Sequence, residues 1–358
     1  MEHRKFNINE NKDLHTTEND GIKSPLRTEI FSMQGKLDGT TVKKIATILR
    51  KGNIVALPTE TVYGLAADAT NEQAVRKIFQ AKGRPSDNPL IVHVATKAQL
   101  FELVSDLQPY VEKLIDTFSP GPITYILPDA GIVAPTVTAG LSTVGIRIPN
   151  HPVALAILKE VNRPLAAPSA NRSGRPSPTE AKHVEEDLAG KISALVDGGR
   201  TSVGIESTVL DCTGPVPIIL RPGAVTAQEI RKVVGACKLY KPKEEETPKS
   251  PGLKYVHYAP EVPLLLVEKQ KIPSVIKEYE AAEKRIGLLY QTDAFETLSI
   301  TKRAYLGSDE VEGSKRLYRL LRSFSKKEVD VLICEYPKNF SDHALHDRLH
   351  RAATEIIK

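Results

Sequence analysis

The sequence predicts an α/β protein in two units: a twisted open sheet with flanking helices, then a smaller α/β unit. Three observations predict it. Through residues 38–237, short apolar runs alternate with stretches whose apolar residues recur at helical spacing, the pattern of strands interleaved with helices. At 241–249 the chain reads Lys-Pro-Lys-Glu-Glu-Glu-Thr-Pro-Lys, with no apolar residue and two prolines, the composition of an extended linker. Beyond it the strand and helix alternation resumes as a small parallel sheet. A length of 358 residues allows two domains, each with its own core. The expected division is an extension over 1–37, a first domain over 38–237, a linker over 238–261 and a second domain over 262–358.

In order, Val42, Ile45, Ile48 and Leu49 mark a helix closed by Gly52, and 53–57 reads as a buried strand stopped by Pro58. Thr59-Glu60-Thr61 follows directly, where open α/β sheets place their ligands; the alternative is an edge turn with Glu60 in solvent. Asn71 is suited to cap a helix carrying Ala74, Val75, Ile78 and Phe79, which Gly83 ends. The loop Lys82-Gly83-Arg84-Pro85-Ser86-Asp87-Asn88-Pro89-Leu90 is stiffened by its prolines. It presents two cations and an amide, a set that suits a phosphate or carboxylate, or else merely offsets the helix dipole in solvent. A strand over 90–94 comes next.

Helices near 97–104 and 108–118 end at Ser119-Pro120-Gly121-Pro122, followed by a strand over 123–127. The strand 142–149 carries Arg147 among apolar residues. A buried guanidinium needs a partner, either an internal carboxylate or that of a ligand. Residues 153–161 read as a buried helix. Ser177, Pro178 and Glu180 read as a capping box, so Ser177 either only caps or also helps seat an anion at a helix N-terminus. Strand 194–196 leads to a second turn of hydroxyls and acid, Gly204-Ile205-Glu206-Ser207-Thr208-Val209. Strand 218–221 precedes a helix with a Thr226 and Glu229 capping box and a Val225 and Ile230 staple.

The second unit reads as strand 262–267, helix 273–283, strand 286–290, a helix capped by Ser308 with Leu317, Leu320, Leu321 and Phe324, strand 329–334 and a last helix. His343, His346 and His350 can share a face of that helix, as metal ligands or as surface residues. In the linker, Tyr255, His257 and Tyr258 are too apolar and aromatic for an idle tether. They either pack the domains together or cover a site.

Composition narrows the classes. A formal net charge of +5 permits nucleic acid or a polyanionic small molecule without demanding either. Cys212, Cys237 and Cys334 lack C-x-x-C spacing, which argues against a zinc ribbon or disulfide scaffold and for a reducing compartment. No apolar run approaches the ~18 residues of a membrane span. The polar, acid-containing N-terminus resembles neither a signal nor a transit peptide, so a cytoplasmic location is expected. Neither a P-loop nor a dinucleotide fingerprint is present. What remains is a group of cations at strand ends (Lys82, Arg84, Arg147, Arg172, Arg175, Arg221) beside small polar residues. That set suits a nucleotide triphosphate and a small carboxylate.

Five stretches carry a resemblance: Pro58-Thr59-Glu60-Thr61-Val62-Tyr63-Gly64-Leu65, the 82–90 loop, Pro168-Ser169-Ala170-Asn171, Gly204–Val209 and Leu220-Arg221-Pro222-Gly223. In that order they resemble the YrdC-type threonylcarbamoyl-AMP synthase family. The Lys-Tyr-Val-His-Tyr-Ala-Pro linker and the C-terminal unit resemble its long, two-domain branch. The resemblance covers about 38–358. It implies a YrdC-like twisted mixed sheet and a Rossmann-like second domain. It also implies a nucleotidyl transfer in which L-threonine, bicarbonate and ATP give L-threonylcarbamoyl-AMP and pyrophosphate. Such a product feeds proteins that modify tRNA next to the anticodon.

By the same resemblance Lys82 and Arg84 would be catalytic, with Lys82 near the reacting carbamate and α-phosphate. Thr61, His93, Arg147, Ala167 and Ser207 would bind threonine, Arg147 taking its carboxylate. Arg84, Asn88, Thr143, Ser169, Asn171, Ser177, Arg221 and Tyr258 would bind ATP. Mg2+ is expected on the phosphates, with no ligand set legible. Weak tRNA or RNA binding is compatible with the charge, and no membrane is expected. A non-catalytic tRNA-docking module and a carbamoyl-phosphate-dependent transferase are the alternatives.

Overall fold

The computed structural model describes residues 27–240, 258–292, 295, 298, 300–336 and 344–358. Eleven strands of the first unit form one mixed sheet. Their order is Glu29–Ser32, Ala194–Asp197, Val55–Leu57, Gly64–Asp68, Leu165–Ala166, Ile91–His93, Thr143–Arg147, Ile123–Pro128, Thr208–Asp211, Ile218–Arg221 and Lys238–Leu239. Leu165–Ala166 runs antiparallel to both its neighbours, Gly64–Asp68 and Ile91–His93. Val55–Leu57 returns as Gly64–Asp68 through residues 58–63, which leaves no room for a crossover helix. That short return holds the Thr-Glu-Thr turn near the middle of the sheet.

Successive residues of a strand point to opposite faces, and both faces are covered. Val55 and Leu57 pack with Ile45 and Leu49 of the helix Gly39–Arg50 and Ile157 of Pro152–Val161. Ala56 faces the other way, toward Val75 and Ile78 of the helix Glu72–Lys82, Leu114 of Val111–Phe118 and Val184 of Ala181–Leu188. Asn71 caps Glu72–Lys82 as expected, accepting from the Ala74 N–H at 3.1 Å, and Gly83 ends it at φ +61°.

The second sheet is wholly parallel, in the order Lys302–Tyr305, Ile286–Tyr290, Val331–Glu335, Leu264–Val267 and Glu355–Ile357. One of its faces packs on the helix Ile272–Ala281. The other packs on Leu317 and Leu321 of Glu310–Ser323 and Leu345 and Leu349 of Ala344–Ala352. This last layer also takes in Val62 and Ile205 from the first unit and Tyr258, so the two units share a core.

Several expectations are corrected. Glu29–Ser32, read as part of the extension, pairs with Ala194–Asp197 and joins the large sheet. Lys302–Tyr305 and Glu355–Ile357 are strands that the pattern missed; both are short, half-exposed or exposed, and lie at sheet edges. Asp309, not Ser308, caps Glu310–Ser323, accepting from the Glu312 N–H at 2.9 Å. The helix expected to start after Ser177 begins at Ala181, with no side-chain cap. Ser177 donates instead to Glu206, because an ionised carboxylate is a stronger acceptor partner than a distant helix end. Tyr255, His257 and His343 lie outside the described residues.

Candidate active site

One cleft, enclosing about 790 Å³ of space not filled by protein, opens where the Thr59–Val62 turn, the 82–91 loop, the end of strand Thr143–Arg147 and the 167–177 loop meet the Glu206-Ser207 turn. Of the fourteen expected site residues, twelve line it: Thr61, Lys82, Arg84, His93, Arg147, Ala167, Ser169, Asn171, Ser177, Ser207, Arg221 and Tyr258. Asn88 is buried but off the wall. Thr143 starts the strand that Arg147 ends, about 13 Å away at the usual rise per residue, and is also off the wall. Among the other expected cations, Arg175 lines the cleft but pairs with Asp187 at 2.6 Å, and Arg172 is exposed.

Arg147 finds an internal carboxylate, one of the two partners that its burial demanded. Its guanidinium pairs with Glu60 at 2.7 Å, donates from one Nη to Thr61 Oγ1 at 2.8 Å and from Nε to the Gly121 carbonyl at 3.2 Å. Yet it still forms part of the cleft wall. Glu60 is buried, not in solvent. Burial alone would raise its carboxyl, but Arg147 and the Asn150 N–H outweigh that and hold it low. His93 is opposite Arg147 in the parallel register. Burial foremost, then Arg147, pushes its imidazole down to about 3, so it meets a ligand as the neutral ring.

Lys82 is the last residue of its helix and is buried. Its Nζ donates to the carbonyls of Ser169 and, at 2.7 Å, Asn171. Burial foremost, and Arg84 next, push the ammonium well below the usual lysine range. Asn171 is chiefly a loop builder: its amide donates to the carbonyls of Arg172 and Arg175 at 2.8 Å, and its Oδ1 accepts from Ser169 Oγ at 2.6 Å.

At the far wall, Ser207 Oγ and Thr124 Oγ1 share a hydrogen bond of 2.8 Å, while Arg221 donates to the Ser207 carbonyl at 3.0 and 3.2 Å. Glu206 accepts from Ser177 Oγ at 2.5 Å, from Tyr318 Oη at 2.8 Å and from Arg348 Nε at 2.8 Å. Burial would raise this carboxyl, but Arg348 foremost, then Arg221 and Ser177, bring it down to about 2. Glu206 stood in a motif that the sequence reading quoted. Tyr318 and Arg348 were missed, because polar residues within an amphipathic helix carry no local sign of their partner. The cleft therefore offers several guanidinium groups, one lysine, a neutral imidazole and hydroxyls against one paired acid, a wall for anions.

Residues 47–223 match the Sua5/YciO/YrdC family model, described as telomere recombination. Residues 225–354 match the model described as threonylcarbamoyl-AMP synthase, C-terminal domain. The threonylcarbamoyl-AMP synthase of Bacillus subtilis is 45% identical over 328 residues, covering 87% of this chain and 92% of that protein. The chain belongs to the threonylcarbamoyl-AMP synthase family. Pyrococcus abyssi threonylcarbamoyl-AMP synthase is 41% identical, with 86% of this chain and 92% of that protein covered. The crystal structure of P. abyssi Sua5 complexed with L-threonine superposes with a TM-score of 0.87 at 40% identity, covering 92% of this chain and 99% of that one. In this member of the threonylcarbamoyl-AMP synthase family, the C-terminal model starts before the helix Ala227–Val234 and strand Lys238–Leu239. Both pack on the first unit, so the sequence boundary and the sheet boundary differ.

His346 and His350 both hydrogen-bond Tyr336 Oη through Nε2, at 2.9 and 3.0 Å. Among the described residues no group of three or more His, Cys, Asp or Glu could hold a metal ion. None of the described helices is long and apolar enough to cross a membrane.

Proposed function

We infer that the protein converts L-threonine, bicarbonate and ATP to L-threonylcarbamoyl-AMP and pyrophosphate. The observation that carries this reading is the convergence of Lys82, Arg84, Arg147 and Arg221 on one cleft with Thr61, His93, Ser169, Ser177 and Ser207. The Arg147 fork, braced by Glu60, suits the α-carboxylate of threonine, with Thr61, neutral His93, Ala167 and Ser207 around the rest. Arg84, Ser169, Asn171, Ser177, Arg221 and Tyr258 form the nucleotide side. Asn88 and Thr143 join it only if ATP extends beyond the wall as it stands.

Bicarbonate gives up hydroxide to become CO2, the neutral amine of threonine adds to it, and the proton lost from nitrogen joins that hydroxide as water, leaving a carbamate. A carbamate oxygen then attacks the α-phosphorus, the bond to the β-phosphate breaks, and pyrophosphate leaves. The protein forms no covalent bond in this scheme. It holds two anions together against their repulsion, stabilises charge growing on phosphorus and keeps water from a short-lived adduct. Mg2+ would arrive with ATP: among the described residues Glu206 is the only acid on the wall, and it is already engaged by Arg348. The product is an activated carbamoyl donor, so a transferase acting on tRNA must consume it.

Pyrophosphate release should require ATP, threonine and bicarbonate together, and fall to near zero in Lys82→Ala and in Arg84→Ala. Release indifferent to threonine overturns the reading. Wild-type turnover in either variant removes that residue from the mechanism. Salt-sensitive tRNA binding with no threonine-dependent turnover would instead favour the docking module.

A further inference from the structure

Glu206 faces two guanidinium groups that come from different units. Arg348 lies within the helix Ala344–Ala352 of the second unit and is fully buried. Its Nε donates to Glu206 at 2.8 Å, one Nη to Asp347 at 2.6 Å and the other to the Pro222 carbonyl at 3.0 Å. Arg221, on the strand that Pro222 ends, faces Glu206 from the first unit, near enough to help hold its carboxyl down. Yet among the described residues Arg221 makes no ion pair, and its hydrogen bonds all go to Ser207. Glu206 thus takes one of the two arginines as its ion-pair partner and leaves the other, on the cleft wall, held by Ser207.

We propose that Arg348 is a positioning residue supplied by the second unit: by engaging Glu206 it leaves Arg221 free to meet the phosphates of the nucleotide. The inference rests on the assignment of ATP to this side of the cleft. A buried carboxylate that loses its partner recruits another or destabilises the fold. Here the other arginine that acts on Glu206 is Arg221, and a guanidinium drawn onto Glu206 is lost to a phosphate. The surroundings of Glu206 support a purpose-built clamp. Tyr318, also of the second unit, donates to the same oxygen as Arg348 at 2.8 Å. Tyr258 stacks on Tyr318 at 5.3 Å between centroids and lies 5.6 Å from the Arg348 guanidinium. Ile205, the neighbour of Glu206, is embedded in the second unit's core.

The test is calorimetric titration of the full chain with ATP and, separately, with L-threonine, alongside its melting temperature. A wild-type chain that binds no ATP would sink the functional reading rather than this inference. In Arg348→Met, ATP affinity should weaken at least tenfold and threonine affinity less than threefold. Adding Glu206→Gln removes the charge that captures Arg221, and the glutamine amide can still accept from Ser177. This double variant should return ATP affinity to within threefold of wild type. Unchanged ATP binding in Arg348→Met, equal weakening for both ligands, or no recovery in the double variant each overturns the proposal. Should Arg348→Met fail to fold, Arg348→Lys and the double variant carry the test. Both should bind ATP within threefold of wild type, and a tenfold loss in either refutes it.

Discussion

His93 is kept neutral first by its burial and then by its strand neighbour Arg147. In the unfolded chain it takes a proton below about 6.5, whereas in the folded protein it resists until about 3. Stability that is full above the unfolded value is therefore lost as pH falls through 6.5, by about 1.4 kcal/mol per pH unit for one proton. His151 and His183 are depressed too and contribute to the same acid limb. Replacing His93→Asn should lower the slope of unfolding free energy between pH 5 and 6.5 by about one proton without flattening it. An unchanged slope would mean that His93 is already protonated in the fold. Arg147, its neighbour, was legible in the sequence as a charge in an apolar strand that had to be paired. Its partner Glu60 was not, because an ion pair formed across 87 residues leaves no local trace. Ser177 misled for a related reason: its spacing fits a helix cap, and only the packed structure offers it a buried carboxylate.

Elements were legible where their ends are chemically marked. Asn71 and Gly83 bracket one helix, and the Thr226 and Glu229 box starts another, as read. Strands whose existence depends on a distant neighbour were not. Glu29–Ser32 and Glu355–Ile357 are strands only because Ala194–Asp197 and Leu264–Val267 lie alongside. The turn before Glu206 depends on one residue. Gly204 sits at φ +85°, and a Cβ there would lie 2.5 Å from the Ser314 carbonyl oxygen and from Lys315 Cα of the second unit. Gly204→Ala should cost about 2–4 kcal/mol, the sum of a left-handed backbone penalty and overpacking against a rigid helix. Denaturant titration reads this directly, and a loss below about 0.5 kcal/mol would mean that the helix moves aside freely.

On the scale of the molecule, the α/β class, the two units and their order were all visible in the alternation of apolar runs. The joint between them was legible only through Tyr258, for which domain packing was one of two readings and which lies in the shared core. The units also share Val62, Ile205 and the Glu206 clamp, which carried no such sign. A chain cut after residue 240 would expose both apolar side chains, at about 1.5–3 kcal/mol each, and take Tyr318 and Arg348 away from Glu206. The apolar losses alone reach the lower end of the net stability of an ordinary domain, about 5–15 kcal/mol. The fragment is expected to bind a hydrophobic dye and to release no pyrophosphate. A monomeric, dye-negative, fully active fragment would contradict the shared core. Of the linker residues expected to pack the domains or cover a site, Tyr258 lies in the shared core and lines the cleft, while Tyr255 and His257 lie outside the described residues.

Glu206 is held by a side chain 142 positions further along the polypeptide. A nascent chain can therefore assemble its large sheet long before synthesis ends, while the surroundings of Glu206 stay unfinished until residue 348 leaves the ribosome. If Arg348 acts as proposed, termination before that residue would yield a protein with its signature motifs intact and no competent nucleotide seat.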